Sequence, residues 1–287
     1  MTRRDFLAAT AAFPALTTIT TAANAKPKLR KAVKFSMVNP KGATTLDKFE
    51  LVKKLGFEGV EIDSPSGVNK LAAKRAAEKT GIVIHGVIDN LHWNFPLSSP
   101  DANVRAEGLA ALEGALEDAH YYGAENVLLV PGVARNGVSF EQCNERSQAE
   151  VRKVLPLAEK LKIKIAIEVV WNDFITKPEQ LVKYVDDFKS PWVGAYFDCS
   201  NMVKYGVSSG DWIRALDKRM VKFDFKGYKK GAEKPWVEIG EGDENWPDVL
   251  KALDEIGYSG WATAEVGGGG EKELKLVFDQ MTKVLEQ

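Results

Sequence analysis

The chain has 287 residues, 45% of them hydrophobic and 28% charged, which is the composition of a folded globular protein and excludes disordered, collagen-like and coiled-coil classes. Its 39 Lys+Arg against 40 Asp+Glu give a net charge of −1, without the basic excess that a nucleic-acid binder shows. Two cysteines, Cys143 and Cys199, are too few for a disulfide scaffold or a multi-cysteine zinc module.

The N-terminus reads as an address. Arg3 and Arg4 precede Phe6 and Leu7, then a weakly apolar stretch closes on Ala23-Asn24-Ala25, a cleavage pattern. Twin arginines with a modest apolar core resemble a bacterial Tat signal over residues 1–25. Such a signal implies export of an already folded protein to the periplasm, with any metal loaded beforehand. No run of about 18 apolar residues follows, so no membrane span is expected.

Residues 26–287 alternate short β-rich apolar runs with longer helical patterns. Val33–Met37 reads as the first strand and Thr45–Leu55 as a helix, with Thr44 or Thr45 at its N-cap and Gly56 past its end. Gly59–Ile62 is a second strand and Val68–Thr80 a helix that Gly81 stops before Ile82–Val87. A long helix over Asp101–Tyr122 ends at Gly123, and Asn126–Val130 follows as a strand. Then come a helix over Phe140–Leu161, a strand over Ile163–Glu168, and a helix opened by Pro178 in a favoured first-turn position. Val193–Asp198, Met220–Phe225 and Trp261–Glu265 complete the strands, with helices over Trp212–Leu216, Trp246–Ile256 and Lys272–Leu285.

Eight β-then-α units without a Pro-, Gly- or Ser-rich linker point to a (β/α)8 TIM barrel. Leu55–Glu61 is echoed by Ile256–Trp261, each a helix end, a glycine, an aromatic and a strand start. An open doubly wound sheet would carry G-x-G-x-x-G after its first strand; here that place reads Asn39-Pro40-Lys41-Gly42.

Barrel chemistry sits at the C-terminal ends of the strands. Glu168, Asp198, Asp224 and Glu265 occupy that position on four consecutive strands, each after an apolar run. Carboxylates about 4 Å apart at an effective dielectric near 20 repel by about 4 kcal/mol per pair, a cost that a divalent cation removes. An all-oxygen set suits Mn²⁺ or Mg²⁺ better than Zn²⁺. Glu61 ends the second strand, placed for a substrate hydroxyl or a cation across the mouth. His92 and Trp93 lie in the third loop at the barrel mouth, placed to border a substrate, and Trp171 and Asn172 directly follow Glu168. Lys226 lies two residues past Asp224, within reach of the carboxylates. His85, mid-strand, and His120, at a helix end, read as structural. Gly267–Gly270 reads as a flexible loop rather than a phosphate cradle.

The segments Gly56–Ile62, His92–Pro100, Ala166–Phe174, Gly194–Met202, Gly240–Asp243 and Gly257–Val266 resemble the xylose-isomerase-like TIM-barrel superfamily, in its branch of sugar phosphate isomerases and epimerases. The resemblance implies a divalent metal held by Glu, Asp, His and Glu from strands five to eight. Glu168, Asp198 and Glu265 match three of these positions. The family's His-x-Lys-Asp on strand seven is here Asp224-Phe225-Lys226-Gly227, with aspartate at the histidine position and glycine at the aspartate position. The implied activity is isomerisation or epimerisation of a sugar by proton abstraction beside a carbonyl through a metal-stabilised enediolate, with Glu168 and Glu265 exchanging the proton. Export favours a free carbohydrate over a sugar phosphate. Two alternatives stand beside this reading: a 3-oxo-glycoside lyase or hydrolase in the same barrel, and a non-catalytic periplasmic sugar-binding protein. A barrel-type DNA-repair endonuclease needs a histidine-rich zinc site, and the chain has three histidines. No apolar stripe forces a particular interface, and self-association stays open.

Overall fold

The computed structural model describes residues 29–135 and 137–287, so the signal expected over residues 1–25 lies outside the described residues. The strands are β1 (Leu29–Lys34), β2 (Gly59–Ser64), β3 (Val83–Asp89), β4 (Asn126–Leu129), β5 (Lys164–Glu168), β6 (Val193–Asp198), β7 (Met220–Phe225) and β8 (Gly260–Ala264). The helices that follow each in turn are α1 (Thr45–Leu55), α2 (Lys70–Thr80), α3 (Ala102–Tyr122), α4 (Phe140–Leu161), α5 (Pro178–Asp186), α6 (Ser209–Leu216), α7 (Trp246–Glu255) and α8 (Glu271–Leu285). The sheet closes in sequence order, every neighbour pair is parallel, and β8 returns to β1. This is the eight-unit barrel that the sequence predicts.

Local chemistry sets the boundaries. Thr44 and Asp47 form a reciprocal capping box at the start of α1, and Ser139 and Gln142 do the same for α4. Asn69 and Asp101 cap α2 and α3 with their side chains. Gly56 ends α1 at φ 97°, where a side chain would be strained and would meet the Phe278 ring at 2.8 Å.

The first strand differs from its sequence reading. It spans Leu29–Lys34, and Phe35–Met37 turns into a short 3₁₀ helix. Phe35 leaves the ladder to pack on Phe49, ring centroids 5.1 Å apart. The charged start is admitted because Arg30 pairs with Glu58 at 3.1 Å and Lys31 lies over the Phe278 ring.

Most of the apolar core lies between strands and helices. The barrel interior holds only a small apolar cluster of Leu128, Ala166 and Tyr196, flanked by Ile88 and Val221. The lumen also holds charged and aromatic side chains. Lys222 on β7 lies 3.9 Å from Glu61 on β2 and touches the His85 ring on β3. Strands β7 and β2 are not neighbours, so this contact crosses the barrel. His85 is fully buried and stacked on Trp261 at 4.2 Å, a structural position. His120 is exposed in the last turn of α3.

Candidate metal centre and sugar cavity

Four strand ends bring the acids together. Glu168 closes β5, Asp198 closes β6, Asp224 is next to last in β7, and Glu265 directly follows β8. A register shift at Ala195/Tyr196 sets Asp198 level with Asp224, and the Glu265 N–H extends the ladder onto Phe225 O at 3.0 Å. One oxygen from each of the four carboxylates lies within 4.8 Å of the others.

Their hydrogen bonding leaves room for a cation. Asp198 Oδ1 accepts from the N–H groups of Ser200 (2.7 Å) and Asn201 (2.9 Å), which turns Oδ2 toward the cluster. Asp198 Oδ2 and Asp224 Oδ2 are buried and accept no hydrogen bond among the described residues. Two buried carboxylate oxygens that take no hydrogen bond and face only lysine ammonium groups leave positions that fit a metal ion.

Two ammonium groups also enter the cluster. Lys34 Nζ lies 3.0 Å from Asp224 Oδ2 and 3.6 Å from Glu265 Oε2, and Lys226 Nζ lies 3.4 Å from Asp198 Oδ2 and 3.2 Å from Glu265 Oε2. Fully ionised, as on binding a cation, the four carboxylates against two lysines carry two negative charges, the complement of one divalent cation. Burial opposes the charge on Lys34, but Asp224, Glu265, Glu168 and Glu61 outweigh it and raise its pKa well above the ordinary lysine value. Lys226 is raised in the same way by Asp198 and Glu265 against burial. The acids divide. Burial, reinforced by Glu265, Asp224 and Asp198, pushes Glu168 well above the carboxylate range. Burial also acts on Glu265, but Lys34 and Lys226 override it and hold that carboxyl low. Asp198 and Asp224 are raised by burial and by their acidic neighbours.

The carboxylates open into a cavity of about 380 Å³, within the range of small-molecule sites. Glu168, Glu265, Lys34, Lys226, His92, Trp93 and Trp171 line it. Burial, with Lys34 adding, lowers His92 to about 4, so its imidazole is neutral near pH 7, and its Nδ1 has no partner among the described residues. Two sequence-predicted substrate residues fall outside the lining. Glu61 is 1% exposed, one level down inside the barrel, and Asp63 lines the cavity in its place. Tyr196 OH stands 2.7 Å from Glu61 Oε2 and 2.6 Å from Asp224 Oδ1. A phenol has one hydrogen, so it donates to one of these carboxyls and accepts from the other in protonated form. Asn172 is also buried; its amide donates to Gly132 O at 2.7 Å and shapes the loop after β5.

Sequence reasoning missed Lys34 and Trp236 as lining residues. Lys34 ends its strand, as the four acids do, and a strand boundary placed at Met37 hid it. The Gly267–Gly270 run is held from within: Gly269 N–H donates to Met37 O at 2.9 Å and Gly270 N–H to Glu273 at 3.0 Å.

A closed parallel barrel with an acidic cluster at its C-terminal mouth defines a class of barrel with a site able to hold a metal ion. The chain belongs to the xylose isomerase-like TIM barrel family, whose model matches residues 49–284. It is 25% identical over 236 residues to L-ribulose-5-phosphate 3-epimerase UlaE of Salmonella paratyphi A, covering 77% of this chain and 81% of that protein. The fold is shared with 3-keto-D-glucoside 4-epimerase YcjR from E. coli (TM-score 0.75, 16% identity, 91% of this chain and 100% of that one). It is also shared with the IolI protein that binds a zinc atom (TM-score 0.77, 18% identity, 90% and 98%). No helix among the described residues is long and apolar enough to cross a membrane.

Proposed function

We propose that this chain is a divalent-metal-dependent sugar isomerase or epimerase that moves the proton beside a carbonyl between Glu265 and Glu168. One observation carries the reading: Glu168 and Glu265 line a single cavity and belong to one cluster of four strand-end carboxylates able to hold a metal ion. Two glutamates facing one cavity can act as a base and acid pair. Glu265, paired with Lys226, takes the proton from the sugar carbon, and Glu168 returns one to it; the reverse reaction swaps their roles. A cation in the cluster supplies Lewis-acid polarisation of the sugar's carbonyl oxygen, and the all-oxygen donors favour Mn²⁺ or Mg²⁺ over Zn²⁺. His92 and Trp93 border the substrate.

The sugar epimerase among the relatives supports the reaction class. The occupied N–H groups of Gly269 and Gly270 favour an unphosphorylated sugar, in keeping with the export expected from the sequence of residues 1–25. Proton NMR in D₂O on a panel of free ketoses and 3-oxo-glycosides tests the reading. Deuterium appears beside the carbonyl with the wild type, and Glu168→Gln slows its appearance by roughly 10²–10⁴-fold. Products separate the epimer from an eliminated aglycone. No exchange across the panel, with Mn²⁺ bound, refutes the proposal and leaves a sugar-binding role.

A further inference from the structure

Trp93 (50%) and Trp236 (43%) are the two strongly exposed tryptophans among the described residues, and both line the cavity that Glu168 and Glu265 line. The other exposed large apolar residues, Leu71, Val83, Tyr121 and Leu276, lie away from it. Exposed indole surface is costly in water, and its concentration at one cavity marks a binding surface.

The indoles are held in place. Trp236 stacks on Trp171 at 4.9 Å and 24°, and Tyr228 meets each of them edge-on at 5.3 Å. Trp171 Nε1 donates to Asn201 O at 2.7 Å. Lys226, whose ammonium contacts Asp198 and Glu265, also sits 4.5 Å from the Trp236 ring. The stacked ledge therefore begins one lysine head group away from the carboxylates.

The loop between β7 and α7 is built to present Trp236. It folds back as a small hairpin: Tyr228 pairs antiparallel with Trp236, Lys229 N–H donates to Pro235 O (2.7 Å) and Val237 N–H to Gly227 O (2.9 Å). Gly227 occupies the place of aspartate in the family's strand-seven pattern. A Cβ there would stand 2.5 Å from the carbonyl oxygens of both Val237 and Glu238. The glycine and the hairpin that carries Trp236 therefore require each other.

We infer that the Trp171–Trp236 ledge is a subsite for a second sugar ring, so that the substrate is a glycoside: one ring at the carboxylates joined to another on the indoles. The C–H groups on a pyranose face carry slight positive charge and settle on the negative face of an indole. Naming the reacting ring rests on the proposed function; binding to the ledge does not.

Calorimetric titration of the full chain with Mn²⁺ tests the subsite, using cellobiose, maltose and trehalose against glucose. At least one disaccharide binds about tenfold more tightly than glucose. Trp236→Ala removes that advantage, and Trp236→Phe, which keeps a stacking face, retains most of it. Equal binding of all four sugars, no disaccharide binding, or a preference untouched by Trp236→Ala overturns the subsite. Disaccharide preference without deuterium exchange on any substrate sinks the reaction and leaves the subsite standing. Exchange on free ketoses as fast as on glycosides, with equal binding, does the reverse.

Discussion

Lys34 and a metal ion compete for the same oxygens, and Lys34→Met exposes the competition. The ammonium stands 3.0 Å from Asp224 Oδ2, with both side chains nearly inaccessible to water. At an effective dielectric near 20 that pair attracts by about 5 kcal/mol. Removing one partner of a buried pair typically costs about 3–5 kcal/mol. In a domain of this size that lowers Tm by roughly 10 °C. The loss is expected in EDTA, where nothing else offsets the carboxylates. A dication on Asp224 Oδ2 is necessarily close to Lys34; at roughly 4 Å and the same dielectric the two repel by about 8 kcal/mol. Lys34→Met is therefore expected to bind Mn²⁺ more than tenfold more tightly than wild type. Mn²⁺ should raise the variant's Tm by more than it raises the wild type's. Calorimetric titration and thermal melts with and without EDTA give both numbers. Equal Mn²⁺ affinity in the two proteins, or a variant as stable as wild type in EDTA, would refute the reasoning.

Tyr196→Phe removes the hydroxyl that joins Glu61 to Asp224 and leaves two buried carboxyls short of a partner. It should lower stability by roughly 2–4 kcal/mol in denaturant titration, and a loss below about 0.5 kcal/mol would argue against the bridge. Asp89 is buried, and burial raises its carboxyl from 3.8 to about 7 against one N–H bond from Leu91. The folded pKa lies above the unfolded one, so the fold favours the protonated acid and stability declines as pH rises through about 4 to 7. Asp89→Asn mimics the protonated form; it should match wild type at pH 4 and gain up to about 4 kcal/mol by pH 8, and a pH-independent difference would count against this. Gly227→Ala drives a methyl into two carbonyl oxygens of the hairpin. The near-ultraviolet circular dichroism of the Trp171–Trp236 pair should change while the far-ultraviolet spectrum stays, and an unchanged pair signal would show that the hairpin absorbs the methyl.

The barrel was legible because its signals are local. Glycines past helix ends, the polar cap at Thr44, and runs of apolar residues each act within a few positions. The four acids were legible for the same reason, each closing an apolar run. Depth along the barrel axis is not local. Glu61 and Asp63 share one strand face two residues apart, yet only Asp63 reaches the cavity. Phe35 was misplaced because Phe49, a tertiary partner, pulls it out of the ladder, and that shift concealed Lys34. Trp236 sits in a loop without periodicity, where nothing in the sequence pattern marks it. The alternation Lys222, Asp224, Lys226 along β7 and its exit did carry the polar lining of the lumen, had it been followed inward.

Asp224 uses both of its oxygens: one on Tyr196, the other toward Lys34 and the cluster. An imidazole at this position would be neutral and would leave the Lys34 ammonium buried without its closest counter-charge. The aspartate and the lysine therefore act as one electrostatic unit. With histidine at this position the ionised cluster would keep one net negative charge instead of two, so it would hold Lys34 or a dication less strongly, and not both together.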